Sequence, residues 1–196
     1  MLKKFLLVTS AVAAITVISP ANAAVVIVNS AANSSAGVTG ASSGLALTSG
    51  QIFTVNSSLT DLWSAGALPR WSNANGLTGV LLATGSDESG QIAGTLIGSN
   101  FGLLNQHGIN APFGSLVGEI GGVYQFLGAN FNGAAWASGN LNLFYWDSNS
   151  GDNTDSIAFD VVAVPEPTTW ALMLLGFALM GAALRRRQQN VNVSFG

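Results

Sequence analysis

The sequence predicts an all-β fold, an antiparallel β-sandwich, with a helical segment at either end. Three observations predict it. Apolar and polar residues alternate with a period of two along several short runs. Gly, Asn, Ser and Asp break the sequence roughly every 8–12 residues, as hairpin turns would. Before residue 164, no window long enough for a helix carries a clear apolar period of 3.6.

The first segment reads as a secretory signal helix over 1–23. Lys3 and Lys4 form a basic start, 5–18 is apolar, Pro20 breaks the helix, and Ala21-Asn22-Ala23 is a small-residue cleavage site. Cleavage is expected after Ala23, which makes the Sec translocon and signal peptidase expected partners. Residues 25–28 are a short β-rich run. Residues 29–44 contain only Ala, Ser, Gly, Asn, Val and Thr, so 24–44 reads as a low-complexity linker with a first strand. The sandwich domain is expected over 45–163. Its predicted strands are 51–56, 79–83, 116–120, 123–126, 140–146 and 156–162. In the fifth, Leu141, Leu143 and Tyr145 share a face; in the sixth, Ile157, Phe159 and Val161 do. Trp63 is expected in the core, and 61–63 can carry one helical turn at most.

Charge narrows the function. Between residues 24 and 164 the chain has Arg70 against eight carboxylates: Asp61, Asp87, Glu88, Glu119, Asp147, Asp152, Asp155 and Asp160. A surface with one cation releases few counterions from a phosphate backbone, so nucleic acid is excluded as a partner. There is no cysteine and one histidine, which rules out disulfides and structural zinc.

Residues 164–187 have a different texture. Pro165 and Pro167 hold the chain extended. The 15 residues 170–184 are apolar and reach about 22 Å as a helix, against about 30 Å of bilayer core. Trp170 and the cluster Arg185, Arg186, Arg187 sit where an interfacial aromatic and a cytoplasmic basic stop belong. A transmembrane helix over 170–184 is therefore predicted, marginal in length, with 188–196 as a cytoplasmic tail. Pro165-Glu166-Pro167-Thr168-Thr169-Trp170-Ala171, an apolar helix and an Arg cluster, in that order, resemble the PEP-CTERM sorting signal in its PEPxxWA subtype. The resemblance implies an exosortase as partner, a precursor anchored in the membrane, and a mature protein released or attached at the cell surface.

The densest chemistry in the body is 147–155, nine consecutive polar or Gly residues between two alternating strands. Three carboxylates, two amides and free carbonyls are oxygen ligands of the kind Ca²⁺ takes. A solvated hairpin loop of turn formers fits the same residues. The stretches Leu47-Thr48-Ser49-Gly50-Gln51-Ile52-Phe53-Thr54-Val55 and Phe113-Gly114-Ser115-Leu116-Val117-Gly118-Glu119-Ile120-Gly121, together with 140–161, resemble the small calcium-dependent galactose-binding lectins of bacteria. That family shares a jelly-roll sandwich. Carried over, the resemblance implies Asp147 as the shared calcium and sugar ligand, Gly151 and Gly66 as backbone ligands, and Thr154 and Asp155 as side-chain ligands. It leaves His107 near a sugar-contact position. Trp71 and Trp136, in loop-like contexts, are candidate stacking platforms for sugar rings.

The expectation is an exported, non-enzymatic module that binds carbohydrate or extracellular matrix, with Ca²⁺ and exopolysaccharide as associated ligand and setting. A structural matrix component and a glycan-active hydrolase are the alternatives. The hydrolase would need a carboxylate pair, Asp87 with Glu88 or Asp147 with Asp152. Gly40-Ala41-Ser42-Ser43-Gly44 formally matches a nucleophile elbow, which requires a strand before it and a helix after it.

Overall fold

The computed structural model describes residues 22–37, 39–164 and 167–188. In chain order the strands are β1 (Ala23–Asn29), β2 (Ala41–Leu47), β3 (Ile52–Asn56), β4 (Trp63–Ser64), β5 (Trp71–Ser72), β6 (Leu81–Leu82) and β7 (Leu96–Gly98). They continue as β8 (Leu103–Gln106), β9 (Ile109–Pro112), β10 (Ser115–Ile120), β11 (Val123–Phe126), β12 (Asn130–Ala134), β13 (Gly139–Trp146) and β14 (Ser156–Ala163). One helix follows, α1 (Pro167–Gln188). Two four-stranded antiparallel sheets, β1-β14-β3-β12 and β11-β10-β13-β2, form the sandwich. Three short hairpins, β4-β5, β6-β7 and β8-β9, lie outside them.

Alternation builds the core. Val26 and Val28 of β1, Phe53 and Val55 of β3, and Ile157, Phe159 and Val161 of β14 point inward from one sheet. Leu45 and Leu47 of β2, Leu116 and Ile120 of β10, and Leu141, Leu143 and Tyr145 of β13 meet them from the other. Trp63 closes one end, fully buried, edge-on to Tyr145 at 4.7 Å and beside Phe159 at 5.8 Å. The predicted alternation in the last two strands is therefore the core's own pattern. It breaks at the end of β13, where Phe144 and Trp146 are also buried. There the β8-β9 hairpin covers the outer face, and Ala111, Val117 and Trp146 form a second cluster.

Residues 24–44 differ from their expectation as a linker. β1 pairs along its full length with β14, and β2 pairs with β13, so the sandwich begins at Ala23 rather than near residue 45. The order comes from hydrogen bonds to small polar residues. Ser30 Oγ donates to Asp155 O at 2.9 Å, Ser35 Oγ to Asp147 O at 3.0 Å and Ser43 Oγ to Leu141 O at 2.8 Å. All three serines are buried. An accounting of apolar area misses such a segment, because satisfied backbone and hydroxyl groups carry it.

Both chain ends leave the sandwich at one pole. Ala23 pairs with Val162, Ala163 N donates to Asn22 O at 2.9 Å, and Val164 N donates to Ile52 O at 2.9 Å. The 147–155 loop lies at the other end of β14, eight residues away, or about 26 Å along a strand. α1 has 22 residues, longer than the 170–184 expected. Leu172, Leu174, Leu175, Phe177, Leu179, Met180 and Leu184 are exposed all round it. Among the described residues no helix is long and apolar enough to cross a membrane, so the predicted transmembrane span is not shown. The physical reason is length: the apolar stretch is shorter than a bilayer core. Residues 1–21, Pro165, Glu166 and 189–196 lie outside the described residues, and with them the signal helix, Ala21 of the cleavage site, part of the sorting motif and the cytoplasmic tail.

Candidate functional site

The 147–155 loop closes on itself through short polar contacts. Asn149 Nδ2 donates to Asp152 Oδ1 at 2.7 Å, and Gly151 N donates to Asn149 Oδ1 at 3.1 Å. Two backbone bonds between Ser64 and Thr154, at 3.0 and 3.1 Å, then dock the loop against β4. This docking brings Gly66 to the loop. Gly66 has a φ of +117°, and a Cβ there would strike the Asp152 carboxylate and crowd Arg70 Nη1. Only glycine permits both that backbone and that approach.

A cleft of about 220 Å³ opens between these segments. Asp147, Ser148, Asn149 and Asp152 line one side; Arg70 and Ala65 from the β4-β5 hairpin and Phe101 and Phe113 line the other. Arg70 Nη1 lies 3.6 Å from Asp152 Oδ2, with both side chains partly exposed. Such a pair adds about 0–1 kcal/mol to stability, so its place in the fold is positional. The guanidinium sits over the Phe101 ring, 4.9 Å from its centroid, and Phe101 meets Phe113 edge-on at 5.5 Å.

Asp147 is the buried acid of the cleft, 5% exposed. Its backbone N–H donates to Ser35 Oγ at 3.1 Å, and its Oδ1 accepts from Ser148 N at 2.7 Å. Burial pushes the carboxyl pKa up and outweighs the hydrogen bonds from Ser148, Asn153 and Asn149 that pull it down, while the Asp152 charge adds to the rise. Burial also raises the Tyr145 phenol well above its usual range, helped by Asp147 and Asp152. With a folded-state pKa above the unfolded one, Asp147 favours folding at low pH, and that contribution is lost as pH rises through the folded pKa. Asp147→Asn should therefore raise the melting temperature relative to the native protein near neutral pH, with the gain vanishing below the ordinary value of 3.8. Melts in chelator at both pH values check this, and a pH-independent difference contradicts it.

The residues named from sequence separate into two groups. Asp147 lines the cleft; Gly66 and Gly151 do not, but Gly66 packs against the Asp152 carboxylate and Gly151 lies between Asn149 and Asp152, which do. Thr154 and Asp155 do not line it: their side chains are exposed and their backbones serve the fold, Asp155 O accepting from Ser30 N and Oγ. Asn153 takes their place, buried, with Nδ2 donating to Ser30 O at 3.0 Å and Oδ1 without a partner. Asp147 and the spare Asn153 oxygen are donors a hard cation would use, together with loop carbonyls. Among the described residues no cluster of three acidic, His or Cys side chains offers a charged cage.

The aromatic candidates serve other roles. His107 stacks on Tyr124 at 4.5 Å, with Nε2 3.3 Å from Ser35 O, at the tip of the β8-β9 hairpin. Trp71 packs against Leu62, Ala83 and Ile97. Trp136 packs against the main core and donates Nε1 to Val123 O at 2.8 Å. None of the three lines the cleft. Of the residues that do, Arg70 stands out in the sequence only as the lone cation between 24 and 164, Phe113 only within a stretch that resembles the lectins, and Phe101 not at all. Asp87, from the other candidate acid pair, accepts bonds from Thr84 and Ser89 that lower its pKa to about 2, which unfits it as a proton donor near neutrality. The formal nucleophile elbow runs into β2, a strand with no helix after it.

Comparisons with known proteins bear on the two ends of this account. The PEP-CTERM protein-sorting motif matches residues 163–187, which marks the chain as exported and processed by an exosortase. No curated protein sequence matches the chain. Among solved structures, the N-terminal domain of EclA, described as a PllA-like lectin, is similar with a TM-score of 0.45 and 18% identity. The match covers 72% of this chain and 95% of that one. The chemistry of the cleft rests on its own residues.

Proposed function

We propose that the sandwich is a non-enzymatic carbohydrate-binding module, delivered to the cell surface or extracellular matrix by its sorting tail, with the Arg70–Asp147–Asp152 cleft as its site. The observation that carries this is the cleft's composition. It sets the carboxylates of Asp147 and Asp152 and the amide of Asn149 across from a wall on which the Arg70 guanidinium lies over Phe101 and Phe101 meets Phe113. Sugars need that pairing, since their rings carry hydroxyls at the edge and C–H groups on the face. Volume agrees: 220 Å³ is below the roughly 300–1,000 Å³ of drug-sized pockets and suits a single sugar ring. Location supports it too, because the tail leaves from the opposite pole and an attached protein would present the cleft outward.

Calcium is a second part of the proposal, resting on the unpartnered Asn153 Oδ1 beside Asp147. The precursor's passing contact with a membrane rests on the exposed apolar surface all round α1, and exopolysaccharide is the proposed glycan source. A glycan array probed with the mature protein, with Ca²⁺ and with chelator, tests the module. Binding to at least one glycan is expected, and a blank array in both buffers overturns the reading. Melting temperature is expected to rise with Ca²⁺, since a ligand of the folded state alone must stabilise it. An unchanged value removes calcium and leaves the sugar site standing.

A further inference from the structure

We infer that the cleft selects uncharged sugar residues carrying a vicinal diol and rejects uronates, with Arg70 and Asp152 as the paired contact that reads the diol. This deepens the carbohydrate-binding reading and rests on it. Arg70 is the only cation between residues 24 and 164, against eight carboxylates. Its Nη1 is committed, 3.6 Å from Asp152 Oδ2 and 3.4 Å from Ala65 O. Among the described residues its Nε and Nη2 have no protein partner, and Phe101 lies beneath the guanidinium, 4.9 Å from Cζ to the ring centroid.

Two neighbouring hydroxyls fit this arrangement without disturbing it. One accepts from the free guanidinium edge, and the other donates to the Asp152 carboxylate, because a hydroxyl does both. The ring's C–H groups then lie beside Phe113 and the part of Phe101 that the guanidinium leaves open. A sugar carboxylate at the same guanidinium edge brings a third carboxylate beside Asp152 and Asp147 in a site with one cation. It also accepts without donating, so it cannot bond the Asp152 carboxylate as a hydroxyl does. Asn149 Nδ2 donates to Asp152 Oδ1 at 2.7 Å and holds that carboxylate in the cleft, so it does not swing away from the incoming charge. The rest of the body, with six further carboxylates, adds a long-range field of the same sign.

The test uses matched pairs of immobilised sugars, galactose and galacturonate, glucose and glucuronate, mannose and mannuronate, in chelator so that calcium cannot bridge carboxylates. The uncharged member of at least one pair should bind about tenfold tighter or more, the size of one lost hydrogen bond to a charged group. Arg70→Met, which keeps the alkyl stem on Phe101, should remove that binding, while Asp152→Asn should raise uronate binding relative to the native protein. Circular dichroism confirms that both variants fold. A uronate bound as well as its neutral partner, or neutral binding untouched by Arg70→Met, overturns the inference and leaves the sugar site. No binding to any member, followed by a blank glycan array both with Ca²⁺ and with chelator, overturns the site as well.

Discussion

Replacing Trp63 with alanine should lower the unfolding free energy by about 3–5 kcal/mol. Trp63 is fully buried where the two sheets meet the β4-β5 hairpin, packed against Tyr145 and Phe159. Its indole Nε1 donates to Gly114 O at 2.8 Å. Alanine leaves a cavity, since both neighbours stand on paired strands and cannot collapse into it. Gly114 O keeps one donor, Ser72 Oγ at 3.2 Å, so the loss is mainly packing. Trp63→Phe, which fills most of the space and loses the bond, should cost about 1–2 kcal/mol. With no cysteine there is no cross-link to soften the effect, and a loss of 4 in a total of about 5–15 kcal/mol is large. The same substitution should also weaken glycan binding, because Trp63 anchors the strand whose next residue, Ser64, pairs with Thr154 of the acidic loop. Urea unfolding with both variants measures the first effect. Equal midpoints for Trp63→Ala and the native protein would contradict the packing account.

Replacing Pro165, Glu166 and Pro167 together with alanine should abolish exosortase processing, so that full-length precursor accumulates. The sorting match runs over 163–187 and overlaps the fold, since Ala163 is the last residue of β14. α1 begins at Pro167, and proline is accepted in the first turn of a helix but disfavoured in its interior. Alanines would let α1 extend back towards the sandwich. Pulse-labelling in the native host, followed by the mass of the C-terminal fragment, reads the outcome. Processing at the native rate would show that the helix and Arg cluster suffice.

The parts of the fold that sequence revealed are those governed by short-range rules. β13 and β14 alternate, and the faces read from Leu141, Leu143, Tyr145, Ile157, Phe159 and Val161 are the buried ones. β1 and β2 were harder, because Ser30, Ser35 and Ser43 hold them by hydrogen bonds to residues about 100 or more positions away. No local pattern encodes such partners. The acidic loop was visible as a place, yet its working side chains were not. Asp147 and Asp152 face Arg70, Phe101 and Phe113, which come from distant parts of the chain and meet only in three dimensions. Thr154 and Asp155 follow the loop's polarity but turn outward, since their backbones are engaged by Ser64 and Ser30. His107 stands near the loop by way of Ser35, not by way of the cleft.

The most direct measurement of the central claim is a backbone and side-chain NMR titration of the mature protein with the glycan it binds best. The resonances of Arg70, Phe101, Phe113, Asp147 and Asp152 should shift together and saturate at one affinity, while those of Trp71, Trp136 and His107 stay in place. Shifts centred on Trp71, Trp136 or His107, with the cleft unmoved, would contradict the account.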